Sequence, residues 1–164
     1  MDHVYWIDEG RLAGRCGPSV APVDPRAFRE AGFGTVLSLD AREYAYWPRP
    51  LPGLDHVLIH LTDSIPPRPT DRMIYAQRLP EAVEFVLRRT GEDRGAVLVH
   101  CHAGCDRTGG VLAGYLCRTR GCTPEEALEA VRRVNPCAVS AAGYEEMILE
   151  ILERRLPRPP PAGG

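Results

Sequence analysis

Short unbroken apolar runs alternate along this chain with longer stretches in which apolar residues recur every three or four positions. The short runs fall at residues 4–7, 35–39, 56–61 and 96–100, the last (AVLVH) being the most apolar. Such runs, bounded by Gly, Pro or Asp, read as strands buried on both faces. The longer stretches carry helix end signals. Asp24-Pro25 supplies an N-cap and a first-turn proline, and Gly32 and Gly34 stop that helix. Thr70 opens a segment running to about residue 89, in which Pro80 predicts a kink. An apolar helix follows over about 108–120, stopped by Gly121. Thr123-Pro124-Glu125-Glu126 opens the next with an N-cap, an N1 proline and a capping-box Glu, and that helix ends near Asn135-Pro136. A last helix is expected over about 140–156. The stretch after the first strand, through Pro18, reads as turn-rich. Residues 41–54 and the proline-rich 63–69 read as loops.

Strands and helices alternate over the first two-thirds of the chain, and helices gather at its end. This predicts an α/β fold with a short, mainly parallel central sheet flanked by helices. One domain is expected over residues 1–156, with a disordered Pro/Gly tail at 157–164.

Composition narrows the chemistry. All twenty basic residues are Arg, so the chain has no lysine. A Walker-type phosphate loop and Schiff-base chemistry both need one. A formal net charge of −2 argues against a nucleic-acid partner. No stretch of 18 apolar residues is present, so no membrane association is expected. The N-terminus has neither a basic n-region nor an apolar h-region, and six Cys are far too few for a disulfide scaffold. A cytoplasmic monomer with reduced thiols is therefore expected.

The segment VLVHCHAGCDRTGG concentrates the chemistry. A buried strand feeds a loop, and the loop opens a helix. That arrangement aims backbone N–H groups and a helix N-terminus at one point, where an oxyanion such as phosphate binds. Cys101 at the loop entrance faces that positive potential, which favours the nucleophilic thiolate. Arg107 can hold two phosphate oxygens in its planar fork. Gly104 and Gly109 permit tight backbone and close approach, and Thr108 can bring a hydroxyl to the thiolate. His102, Ala103, Gly104, Cys105 and Asp106 complete the loop around the phosphate. The ring of His100 is expected to hydrogen-bond backbone and shape the loop, and His102 to face solvent.

These residues resemble the H-C-x-x-G-x-x-R-T signature of the cysteine-dependent protein tyrosine phosphatases, and in particular their small dual-specificity branch. His100, Cys101, Gly104, Arg107, Thr108 and Gly109 all match, in strand–loop–helix context. The likeness extends over roughly residues 5–155, with a LAG-x-x-x-P-like opening at Leu12, Ala13, Gly14 and Pro18 and a VLSLD strand. It implies a protein tyrosine phosphatase-like fold and phosphomonoester hydrolysis through a phosphocysteine, with no cofactor and no metal. The implied partner is a phosphoprotein bearing phosphotyrosine or phosphoserine/threonine. It also implies a general acid on a separate loop ahead of the nucleophile. Asp63, at the end of HVLIHL and before Pro66-Pro67, fits that place, and Asp40 competes for it because it also ends a parallel strand. Relatives place a water-orienting Gln near the start of the last helix, where this chain has Tyr144.

Alternatives remain at this stage. The substrate can be a small molecule or a phosphoinositide headgroup, although the loop lacks the Lys that polyphosphorylated headgroups favour. A catalytically silent phosphoprotein-binding module is a third reading. Cys105 can trap an oxidised Cys101 as a disulfide, or simply fill the loop. Cys16, Cys117, Cys122 and Cys137 read as packing or surface thiols. Arg68 and Arg72 either widen the cationic approach or are solvated, and Tyr44, Tyr46 and Trp47 either line a pocket or cap the core.

Overall fold

Strand β5 (Ala96–His100), buried at every position, is the middle of a five-stranded sheet in the computed structural model, which describes residues 2–156. Its neighbours are β2 (Leu12–Arg15) and β3 (Phe33–Ser38), and β1 (Tyr5–Asp8) and β4 (Asp55–Leu58) form the edges. The order is β1-β2-β5-β3-β4. All pairs are parallel except β1 with β2. This is the α/β architecture with a mainly parallel sheet that the hydrophobic pattern predicts.

Alternation along β5 builds two cores. Val97 and Val99 face one side, with Leu12, Leu37, Val83, Leu112, Ile148 and Leu152. Ala96 and Leu98 face the other, with Ala13, Phe28, Phe33, Val36 and Trp47. The first side is covered by four helices: α3 (Pro69–Thr90), α4 (Asp106–Arg120), α5 (Pro124–Val134) and α6 (Tyr144–Arg155). The second carries α1 (Pro25–Glu30) and α2 (Ala41–Ala45). The end signals of α5 behave as read: Glu126 N donates to Thr123 Oγ1 at 3.1 Å, and Thr123 N donates to the Glu126 carboxylate at 2.8 Å. Gly121 closes α4 with a left-handed φ of 67°.

Several elements depart from the expectations. β2 replaces part of the turn-rich stretch; it is four residues long and includes Gly14 and Arg15, so its burial between β1 and β5 is invisible to a hydrophobic count. The expected loop 41–54 begins with α2, whose first amides, Arg42 N and Glu43 N, donate to Asp40 Oδ1. α3 starts two residues early, with Arg68 rather than Thr70 at the cap position, and the Asp71 carboxylate accepts from Arg68 N at 2.8 Å. As expected, α3 itself continues through Pro80, to Thr90. α6 starts at Tyr144, because Gly143 ahead of it takes φ 82°. The expected tail at 157–164 lies outside the described residues.

The C-terminal ends of β2, β3, β4 and β5 share one sheet edge, where open α/β sheets place their ligands. The core behind that edge is held by α4. Replacing fully buried Leu112 by Ala is expected to cost about 3 kcal/mol, read as a lower urea midpoint at unchanged slope.

Candidate active site

Cys101 leaves β5 with its thiol buried, 2% exposed, and Thr108 Oγ1 donates to its sulfur at 3.1 Å. The chain then turns at Gly104, whose φ of 77° suits glycine. A Cβ there would lie 2.5 Å from the Arg15 carbonyl oxygen, so the loop packs directly on the end of β2. The Gly104 carbonyl accepts from Tyr5 Oη at 2.6 Å and from Asn135 Nδ2 at 2.9 Å. With Gly109 N donating back to Cys105 O, the first-turn amides ahead of it are unsatisfied by the helix and open toward the loop.

Arg107 is 3% exposed and bridges two carboxylates. Nη1 donates to Asp40 Oδ2 at 2.7 Å and Nη2 to Asp63 Oδ2 at 2.9 Å, while Nη1 also reaches Leu61 O at 3.4 Å. Burial works against its charge, but Cys101, Asp63 and Asp40 more than offset that and hold the guanidinium protonated. The two candidate acids thus separate by position. The Asp40 side chain is 4% exposed, spends Oδ1 on the α2 amides and orients Arg107 from behind; Asp63 is 40% exposed at the mouth. Burial alone would raise the Asp40 pKa, yet the hydrogen bond and charge of Arg107 and the α2 amides bring it below the ordinary carboxylate value.

Beneath the loop, His100 accepts from Trp47 Nε1 at 2.9 Å through Nε2, which also lies 2.6 Å from Ser38 Oγ. Its Nδ1 is 3.2 Å from Cys101 O, so the neutral tautomer with Nδ1–H satisfies every partner. The aromatic cluster divides: Trp47 is buried against His100 and Phe28, and Tyr46 is exposed.

Four participants escape a sequence reading. Glu43 on α2, 2% exposed, accepts from Ser19 N at 3.0 Å, from Ser19 Oγ, and from His102 Nδ1 at 2.8 Å. His102 is therefore anchored, though half-exposed, and Gly17 N donates to its carbonyl at 2.8 Å. Ser19, Tyr5 and Asn135 are the others. Nothing local marks them; the one available signal is the polar Glu43 three residues after a helix-capping Asp. Asp106 Oδ1 accepts from Ala141 N at 2.9 Å, which ties the start of α4 to the segment before α6.

Cys105 is disulfide-bonded to Cys137, with Cα atoms 5.3 Å apart. This corrects three expectations: Cys105 is not placed to trap Cys101, Cys137 is not a packing thiol, and the thiols are not all reduced. The 32-residue separation hides the pairing, which exists because the loop after α5 folds back beside the phosphate loop. Tyr144 is buried edge-on against Tyr75 with its hydroxyl 3.5 Å from Thr62 O, next to Asp63 in the chain. Arg72 pairs with Glu146 and Glu150 of α6 instead of facing the mouth, and Arg68 is exposed. Among the described residues no group of three or more His, Cys, Asp or Glu could hold a metal ion.

Two imidazoles, His100 buried and His56 half-buried, carry a pH dependence. Burial is the main cause that pulls His100 from 6.5 down to about 4, and likewise His56 down to about 3. The unfolded chain thus binds these protons first as pH falls. Stability is complete above pH 6.5 and drains toward pH 4, by about 3 kcal/mol for His100. Denaturant midpoints between pH 7 and pH 4 should show that slope, and His100→Gln should flatten it.

Comparison with known proteins agrees with this geometry. A family model described as the dual specificity phosphatase catalytic domain matches residues 26–154. Human dual specificity protein phosphatase 12 is 30% identical over 129 residues, covering 79% of this chain and 36% of that protein. The tyrosine-protein phosphatase cdc-14 of Caenorhabditis elegans is 26% identical over 146 residues, covering 82% of this chain and 19% of that one. The chain spans about a third or less of the length of these two relatives. Among solved structures, Tk-PTP in its active form superposes with a TM-score of 0.71 at 28% identity, covering 93% of this chain and 98% of that one. Human DUSP28, at 19% identity and a TM-score of 0.67, covers 93% and 95% and shares the fold.

Proposed function

We propose that this chain, which belongs to the dual specificity phosphatase catalytic-domain family, hydrolyses phosphomonoesters through a phosphocysteine on Cys101. The observation that carries this reading is the buried guanidinium of Arg107, fixed by Asp40 beside a free thiol that already accepts the Thr108 hydroxyl. The proposed catalytic unit is one domain over residues 1–156, acting as a monomer on phosphorylated proteins.

In the first step the phosphate enters the loop and takes over Arg107 Nη2 from Asp63, while Asp40 keeps Nη1 in place. The Cys101 thiolate attacks phosphorus in line, and the loop amides and Arg107 stabilise the equatorial oxygens. Asp63, freed at the mouth, donates a proton to the leaving oxygen. Water then attacks phosphorus and gives its proton to the Asp63 carboxylate left by the first step, the sulfur–phosphorus bond breaks with its electron pair on Cys101, and Thr108 stabilises the departing thiolate.

Substrate choice follows from charge. The loop residues His102 to Asp106 contain neither Lys nor Arg, and Asp106 is a carboxylate bound to backbone. Nothing there offers the added cations a polyphosphorylated headgroup would engage, which supports phosphoproteins. No helix among the described residues is long and apolar enough to cross a membrane. The cytoplasmic expectation drew partly on reduced thiols, and the Cys105–Cys137 bond removes that ground.

Cys101→Ser is expected to abolish turnover of an aryl phosphate while phosphopeptide binding persists; full activity in that variant would exclude Cys101 as nucleophile. Asp63→Asn should lower kcat about 10²-fold for alkyl phosphates and far less for p-nitrophenyl phosphate. An equal loss for both leaving groups would rule out general-acid work by Asp63. Phosphopeptides, phosphoinositides and nucleotides assayed side by side test the substrate class.

A further inference from the structure

We propose that the Cys105–Cys137 bond is a reversible redox site that sets how tightly the phosphate loop binds an oxyanion. A dithiol reductant opens it, the segment 135–143 relaxes, and oxyanion affinity falls. The proposal rests on the phosphatase reading above, because it acts through that loop. Cys105 precedes α4 and lies two residues before Arg107, and its carbonyl accepts from Gly109 N at 2.8 Å. Cys137 lies in the connection between α5 and α6. The bond therefore couples the cradle for phosphate to a segment that carries none of the proposed catalytic side chains. Both cysteines are half-buried, within reach of a soluble dithiol, whereas Cys101 is 2% exposed.

The segment 135–143 is held in a conformation it would not adopt alone. Val139 is fully buried with φ 53°, in the left-handed region that a β-branched residue rarely enters. Such a residue persists only where its surroundings over-determine it. Part of the clamp comes from α5: Arg132 donates to Ala138 O at 3.0 Å and to Val139 O at 2.9 Å. The phosphate loop and the start of α4 supply the rest. Asn135 Nδ2 donates to Gly104 O, and Ala141 N donates to Asp106 Oδ1. Gly109 packs so closely that a Cβ there would lie 3.1 Å from the Ala138 and Val139 side chains. These contacts can open and re-form one by one. The sulfur bridge is covalent, and it falls between Gly104 and Asp106 on one side and between Asn135 and Ala141 on the other.

The opened pair is not left unsatisfied. Cys105 Sγ lies 3.6 Å from Ala103 O and Cys137 Sγ 3.2 Å from Asn135 Oδ1, so each thiol finds an acceptor within its own segment. The two segments can thus part without stranding a thiol, and two arrangements of the loop become available. In the proposed step a thiolate of the reductant attacks one sulfur, forming a mixed disulfide and releasing the other sulfur as a thiolate. The reductant's second thiol resolves the mixed disulfide, and the reductant leaves as its own disulfide. Two electrons pass to the cysteine pair, and the two protons given up by the reductant end on Cys105 and Cys137. Once the segment relaxes, the loop amides converge on one point in only a fraction of molecules, and apparent affinity falls in proportion to that fraction.

The test equilibrates wild-type protein, with oxygen excluded, across mixtures of reduced and oxidised dithiothreitol, and follows the 105–137 link by peptide mapping. As the link is lost, KM for p-nitrophenyl phosphate and Ki for inorganic phosphate should rise together by about fivefold or more, with kcat within about twofold. Hydrogen exchange in residues 135–143 should quicken over the same range, and re-oxidation should reverse all three changes. Cys137→Ser should hold the reduced values in every mixture; the titration stands on wild type alone should that variant fail to fold. KM and Ki unchanged across loss of the link overturn the inference, because the bond would then only staple the fold. So does a link that opens only in denaturant, or a folded Cys137→Ser with the KM of the oxidised protein. An oxidised protein that neither hydrolyses p-nitrophenyl phosphate nor binds phosphate overturns the phosphatase reading itself, and this inference with it.

Discussion

A guanidinium 3% exposed cannot stand alone in a protein interior, and the arrangement of the sheet edge follows from how Arg107 is satisfied. One carboxylate, Asp40, ends β3 and caps α2, so the helix end and the arginine share a single side chain. The other, Asp63, follows the stretch after β4, where Leu61 also lends its carbonyl. The connections after β3, β4 and β5 therefore converge on one cation. The two carboxylates are asymmetric: the buried one holds one end of the fork from behind, and the half-exposed one meets the other end at the surface.

Around that cation the phosphate loop is held from several directions. Tyr5 and Asn135 take the Gly104 carbonyl, Glu43 takes His102, and Asp106 takes Ala141 N. Each contact joins the loop to a different element, from β1 to the segment before α6. Anion recognition by backbone amides requires that those amides not move when the ligand arrives. The ring of side-chain ties supplies this rigidity where the loop itself contains no regular structure.

The sheet was legible because parallel strands buried on both faces leave unbroken apolar runs, as in Ala96 to His100. Helix ends were legible where capping chemistry is local, as at Thr123 and Gly121. β2 was not, since its burial comes from neighbours distant in sequence. The signature from His100 to Gly109 points to phosphate chemistry because its spacing is local. Glu43 and the Cys105–Cys137 pairing were hidden for the opposite reason: each depends on two segments meeting across the fold. In the sequence Asp40 rivals Asp63, because strand position alone cannot tell a half-exposed carboxylate from one buried behind the arginine.

The Cys105–Cys137 bond closes a covalent ring that contains all of α4 and α5. The turn between those helices, around Gly121 and Thr123, is the ring's outward corner. A backbone cut there opens the ring without separating the pieces, because the sulfur bridge still spans the gap. The Cys101-bearing and C-terminal portions then travel as one molecule until a thiol reductant is added, and a gel run without reductant would miss the break.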